Sequence, residues 1–142
     1  MRIVVDTNIV FSAILNTNSN LATIILRPRS KFNFYATEQL LEEIYEHKSK
    51  IQQLTGYTDE ELDKVISLIT RRIRFINVKL ITKSAYQQAE TLTQNIDIDD
   101  TEFIALTEHL KGSLWSGDKK LQKGLKDLGW NKFISTAELS KM

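Results

Sequence analysis

The chain begins Met1-Arg2-Ile3-Val4-Val5-Asp6-Thr7-Asn8-Ile9-Val10, and the reading of these ten residues decides the fold. Ile3, Val4 and Val5 make an apolar run too short for a helix, so residues 2–5 are expected to form a buried strand. The run stops at Asp6, and a second short polar side chain, Asn8, follows two positions later. A buried strand ending in an acid is ordinary by itself. The same pattern returns further along this chain, and the repetition requires an explanation.

Working outward, residues 9–15 and 20–27 read as helices separated by Asn16 to Asn20, and Pro28 ends the second of them. Phe32 to Ala36 reads as the second strand, with Thr37 as N-cap of a helix running to about residue 50. After a turn at Thr55-Gly56-Tyr57, Thr58 and Glu61 form a capping-box pattern ahead of apolar residues at 62, 65, 66, 69 and 73. Phe75 to Val78 is the expected third strand, and Thr82 or Ser84 starts the next helix. Asp99 with Glu102 reads as a second capping box, opening a helix that ends before Gly112. Leu114-Trp115-Ser116 follows as a strand, Asp118 opens a helix that Gly129 closes, Phe133 to Ser135 is the last strand, and Thr136 caps a final short helix. Strands alternate with helices and no hairpin signal occurs. The expectation is a single α/β domain over residues 1–142, a parallel sheet with helices on both faces.

Composition narrows the chemistry. A chain of 142 residues, 42% hydrophobic and 26% charged, suits one globular domain with its own core. It has no cysteine, which excludes disulfides and thiolate metal sites, and only His47 and His109, which argues against a zinc centre built on histidine. A metal site here would be made of oxygen ligands, the preference of Mg²⁺ and Mn²⁺. The first residues lack a signal-peptide pattern and no apolar run approaches the roughly 20 residues of a membrane span, so a cytoplasmic location without membrane contact is expected.

The net charge of +1 is unevenly spread. Arg71, Arg72, Arg74, Lys79 and Lys83 form one basic stretch; Lys119, Lys120, Lys123 and Lys126 form another, and Arg27, Arg29 and Lys31 a third. Asp97, Asp99, Asp100 and Glu102 sit together. Any one cluster is most simply a solvated helix face. In combination they suit a protein that holds a polyanion while chelating a cation.

The functional crevice of an open parallel sheet lies beyond the carboxyl ends of its strands. Asp6 ends the first strand, Asp118 follows Ser116 by two residues, and Asp99 and Asp100 open the helix leading into that same strand. Distant acids therefore meet at one edge. Singly, most have a routine explanation: Asp118 as an N-cap, Asp99 and Asp100 as cap and first-turn acids, Asn8 as cap of the helix over 9–15. Asp6 has no such routine role. Jointly, clustered carboxylates repel and call for a cation, and hard divalent ions serve phosphodiester hydrolysis, often in pairs about 3.5–4 Å apart.

Val5-Asp6-Thr7-Asn8, an acid in the helix after the second strand, Asp97-Ile98-Asp99-Asp100-Thr101-Glu102-Phe103-Ile104-Ala105 and Leu114-Trp115-Ser116-Gly117-Asp118-Lys119-Lys120-Leu121 together resemble the PIN domain family, in its order and over nearly the whole chain. The resemblance implies a three-layer α/β/α fold with a mostly parallel five-stranded sheet. It also implies an Mg²⁺- or Mn²⁺-dependent endoribonuclease acting on RNA, in many members the toxin of a toxin–antitoxin pair, often a homodimer and held inactive by an antitoxin. By position, Asp6, Asp100 and Asp118 match the first, third and fourth metal-binding acids. The second lies within Leu40-Leu41-Glu42-Glu43-Ile44. The family's habit of an acid directly before a branched apolar residue selects Glu43, with Glu42 as the alternative, because the two flank the apolar stripe on opposite sides. Asn8 and Ser116 are expected to orient the acids or the water by hydrogen bonds, Ser116 standing where the family more often has Thr. Asp97 and Asp99 either assist or only raise the local charge.

Lys119, Lys120 and Lys123, directly after Asp118, are candidate RNA contacts. Trp115 and Trp130 read as core, His47 and His109 as surface or boundary residues. Two other classes compete with the nuclease. A PIN-like scaffold that binds RNA or a partner without cutting would usually have lost one or more acids. A phosphoryl-accepting receiver domain would need an acid after Phe75-Ile76-Asn77-Val78, and none is there.

Overall fold

The computed structural model describes residues 1–28 and 31–142, so Arg29 of the third basic cluster lies outside the described residues. The chain runs β1 (Arg2–Val5), α1 (Thr7–Leu15), α2 (Asn20–Leu26), β2 (Asn33–Thr37), α3 (Glu38–Glu46), α4 (Lys48–Thr55), α5 (Asp59–Thr70) and β3 (Ile73–Ile76). It continues through α6 (Lys83–Thr93), α7 (Thr101–Leu110), β4 (Ser113–Trp115), α8 (Lys119–Asp127), β5 (Phe133–Ile134) and α9 (Thr136–Lys141). Single 3-10 turns cover Val78–Leu80 and Ile98–Asp100.

The five strands form one sheet in the order β3-β2-β1-β4-β5, and every pairing is parallel. Ile3, Val4 and Val5 of the central strand are completely buried, as a strand covered on both faces requires. Alternation splits them: Ile3 and Val5 join the core under α1, α2, α3, α4, α5 and α9, while Val4 joins the core under α6, α7 and α8. The expected three-layer architecture is the observed one. A receiver-type sheet runs 2-1-3-4-5, so the strand order also disposes of that reading. Among the described residues no single helix is long and apolar enough to cross a membrane.

Several local expectations need correction. The helix expected to reach about residue 50 breaks at His47, whose backbone (φ −100°, ψ 14°) leaves the helical region and whose Nδ1 lies 2.8 Å from the Glu43 carbonyl oxygen. The chain then continues helical to Thr55, where Gly56 closes the helix in the left-handed conformation. The third strand ends at Ile76 because Asn77 Oδ1 accepts from Lys79 N–H (2.9 Å) and coils the chain into a 3-10 turn. The last helix is capped by Ser135, in a capping box with Glu138, instead of by Thr136. The box expected at Thr58 and Glu61 is present.

One close approach holds the centre of the sheet in register. A Cβ added at Gly112, just before β4, would lie 2.5 Å from the Arg2 carbonyl oxygen. Backbone cannot yield as a flexible side chain can. Gly112→Ala is therefore expected to lower the unfolding free energy by about 1–3 kcal/mol, read from urea denaturation.

Candidate active site

In this sheet the order in which strands are added reverses between β1 and β4, and the crevice of an open α/β sheet opens at such a switch point. The carboxyl ends of those two strands carry Asp6 on one side and Ser116 and Asp118 on the other. Asp6 N–H donates to the Trp115 carbonyl (3.3 Å), which ties the two ends together.

Asp6 is buried and does have a routine role after all. It is the N-cap of α1, and its Oδ1 accepts from Ile9 N–H at 3.0 Å. The expectation that Asn8 caps this helix therefore fails. Asn8 is exposed in the first turn of α1, and only its backbone N–H is bonded to the Asp6 carboxylate. Burial pushes the Asp6 carboxyl above the usual range, and the Asp118 charge adds to this. The Ser116 hydroxyl and the Ile9 and Asn8 amides oppose it.

Asp118 repeats the design, as N-cap of α8 with Oδ1 accepting from Leu121 N–H at 3.0 Å. Ser116 links the two acids: its hydroxyl donates to Asp6 while its Oγ accepts from Asp118 N–H at 3.1 Å. Each acid is held by a helix end, and the buried serine sets one against the other. Ser116→Ala removes both bonds and is expected to lower the unfolding free energy by about 1–3 kcal/mol in urea denaturation, with Ser116→Thr losing much less.

Asp100 is built differently. The capping box expected from Asp99 and Glu102 is absent. Asp97 Oδ1 takes the Asp99 N–H (3.0 Å), and Asp100 occupies the N-cap position of α7 with no cap bond from its side chain. Its carboxylate is thus left to the crevice. Burial first, then the charges of Asp97, Asp118, Asp6 and Asp99, push its carboxyl up to about 6. The structure therefore brings Asp6, Asp100 and Asp118 within mutual repulsion.

Glu43 lies in α3, the helix after β2. It lines a cavity of about 980 Å³ together with Thr7, Thr37, Asp100, Glu102 and residues of α6. Glu42 is exposed and does not line it, so the α3 acid facing the crevice is Glu43. Sequence reasoning missed Glu102, which it had assigned to a cap. Burial and the neighbouring Glu43 charge raise its carboxyl, and Gln39, in the amide orientation that satisfies both groups, donates to its Oε2 at 2.7 Å. The signal available was its place two residues after Asp100 in the first turn of α7.

The donors are all carboxylates, which suits a hard divalent cation. Among the described residues no three acids approach closely enough to form a ready-made cage. Mg²⁺ tolerates this, since it keeps several waters and takes one or two carboxylates plus substrate phosphates.

The sequence model of the PIN domain matches residues 4–138. This chain belongs to the PIN domain family. No curated protein matches it. Among solved structures the domain is similar to VapBC2 from Rickettsia felis, crystallised with a DNA fragment from their promoter. The TM-score is 0.69 at 14% identity, covering 95% of this chain and 97% of that one. At that identity the likeness speaks to the fold, and the PIN sheet is what the two share.

The remaining candidates take structural places. Lys119, Lys120 and Lys123 are exposed on α8. Trp115 and Trp130 are buried. His109 Nδ1 accepts from Thr82 N–H (3.3 Å), joining α7 to the start of α6.

Proposed function

We propose that this PIN domain is an Mg²⁺- or Mn²⁺-dependent endoribonuclease, with Asp6, Glu43, Asp100 and Asp118 as the residues that hold the cation. The observation that carries the reading is the meeting of three acids from distant segments at the β1/β4 switch point. Two of them are fixed by caps and joined by Ser116, and the third is left without a cap bond.

The chain's own groups supply positioning. Asp6 and Asp118 each commit one oxygen to a helix end, which fixes the side chain, and Asp6 also accepts from the Ser116 hydroxyl. Asp100 and Glu43 both line the neighbouring cavity. When bound, the divalent ion supplies neutralisation of phosphodiester charge and acidification of a water. The toxin role, an antitoxin partner, a homodimer and a cytoplasmic setting belong to the same proposal and come from the family resemblance.

The test is cleavage of an end-labelled, mixed-sequence RNA by the purified chain with Mn²⁺, with Mg²⁺ and with EDTA, beside Asp6→Ala. The expected result is cutting that needs a divalent ion and vanishes in EDTA and in the variant. A well-folded chain that cuts with neither ion would favour the scaffold that binds without cutting.

A further inference from the structure

The two sides of the crevice carry opposite charge. The large cavity beside Asp100 is walled by Glu43, Glu90, Asp99, Asp100 and Glu102, and among the described residues no lysine or arginine lines it. On the other side, α8 begins at Asp118 and runs back along the sheet. A second groove of about 470 Å³ lies between α8 and β5, lined among the described residues by Lys119, Gln122, Lys123, Lys126, Asn131 and Phe133, none of them acidic.

Lys119, Lys123 and Lys126 are spaced four and three residues apart and share one helix face. Leu121 and Leu125 are buried on the opposite face. Among the described residues the ion pairs are Lys48–Asp63 and Lys132–Glu108, and neither uses these three lysines. Over seven residues the stripe extends about 10 Å along α8, starting beside Asp118. The groove is also joined to the site directly, since Gln122 Nε2 donates to the Ser116 carbonyl at 2.7 Å.

We infer that the RNA strand leaves the acids along α8, with its phosphates in the Lys119–Lys123–Lys126 groove, and does not run through the acidic cavity. This rests on the ribonuclease reading and adds a direction to it. A polyanion crossing the crevice meets repulsion on the α3/α6/α7 side and free cations on the α8 side, so charge alone selects the path. Lys120 does not line the groove, which narrows the candidates named from sequence and adds Lys126 to them.

The test reads binding separately from cutting. Fluorescence anisotropy of a labelled, mixed-sequence single-stranded RNA is measured in EDTA on the full chain carrying Asp100→Asn, between about 50 and about 200 mM salt. Lys123→Gln/Lys126→Gln is compared with Arg71→Gln/Arg72→Gln, which makes the same change in net charge at exposed positions at the end of α5. The expected result is a salt slope shallower by about 1.4 and affinity about tenfold lower for the α8 pair, with little change for the arginine pair. Equal slopes for parent and α8 variant would overturn the proposal, and would be the outcome if the groove serves an acidic protein segment instead. Equal losses in both variants would also overturn it, by reducing the effect to bulk charge. RNA bound by no form of the chain would overturn the ribonuclease reading along with the path.

Discussion

Asp100→Asn is expected to remove divalent-dependent RNA cleavage by at least about 10³-fold while raising the thermal stability of the metal-free chain at neutral pH. The two effects have one origin. Asp100 is partly buried, has no cap bond from its side chain, and faces the charges of Asp97, Asp118, Asp6 and Asp99. Its carboxyl is raised from 3.8 to about 6, so the folded chain holds a proton that the unfolded chain has already released. Stability from this group therefore falls as pH rises from about 4 to about 6, and at neutral pH the full repulsion remains. Asparagine keeps the shape and removes the charge. Thermal melts should show the variant ahead of the parent at pH near 7.5 and the gap closing below about pH 4. A variant that cuts RNA normally would take Asp100 out of the site, and one melting below the parent at neutral pH would contradict the repulsion.

Trp115→Ala is expected to cost about 3–5 kcal/mol, a large part of the roughly 5–15 kcal/mol that holds a domain of this kind folded. Trp115 is completely buried on β4, one residue before Ser116. Its ring lies 5.9 Å from that of Phe34 on β2, and its indole N–H donates to Thr136 Oγ1 at 2.9 Å, reaching α9. Truncation leaves a cavity under the switch point and removes that tie. Trp115→Phe keeps most of the volume and should lose much less. Urea denaturation separates the two. Similar midpoints for Ala and wild type would show that this part of the core is not as closely packed as described.

The order of elements was legible because each strand is a compact apolar run and each helix has a stripe or a cap, signals carried by neighbouring residues. The candidate site is legible as a pattern of acids at strand and helix ends. What escaped depends on contacts between elements. Nothing at His47 announces a break, since no glycine or proline is present. The ring's contact with the Glu43 carbonyl and its edge-on packing against Phe11 (5.7 Å) are settled only by the packed helices. Glu42 and Glu43 flank one apolar stripe, and only the position of α3 beside the cavity sends Glu43 inward. Glu102 reads as a cap partner because its spacing from Asp99 allows one, whereas Asp97 supplies the local bond and Asp100 takes the N-cap position without a side-chain bond. Asp6, which the sequence alone leaves without an ordinary duty, is the N-cap of α1, so capping and the proposed cation-holding role coincide in one side chain.

The central claim is that these acids act as a single divalent-cation site. Calorimetric titration of Mn²⁺ into the wild-type chain at pH near 7.5, repeated with Asp6→Asn and Asp100→Asn, measures this without depending on any RNA. Saturable binding to the wild type, weakened more than about tenfold in each variant, is the expected result. Identical heats in all three proteins, or no binding to any of them, would contradict it.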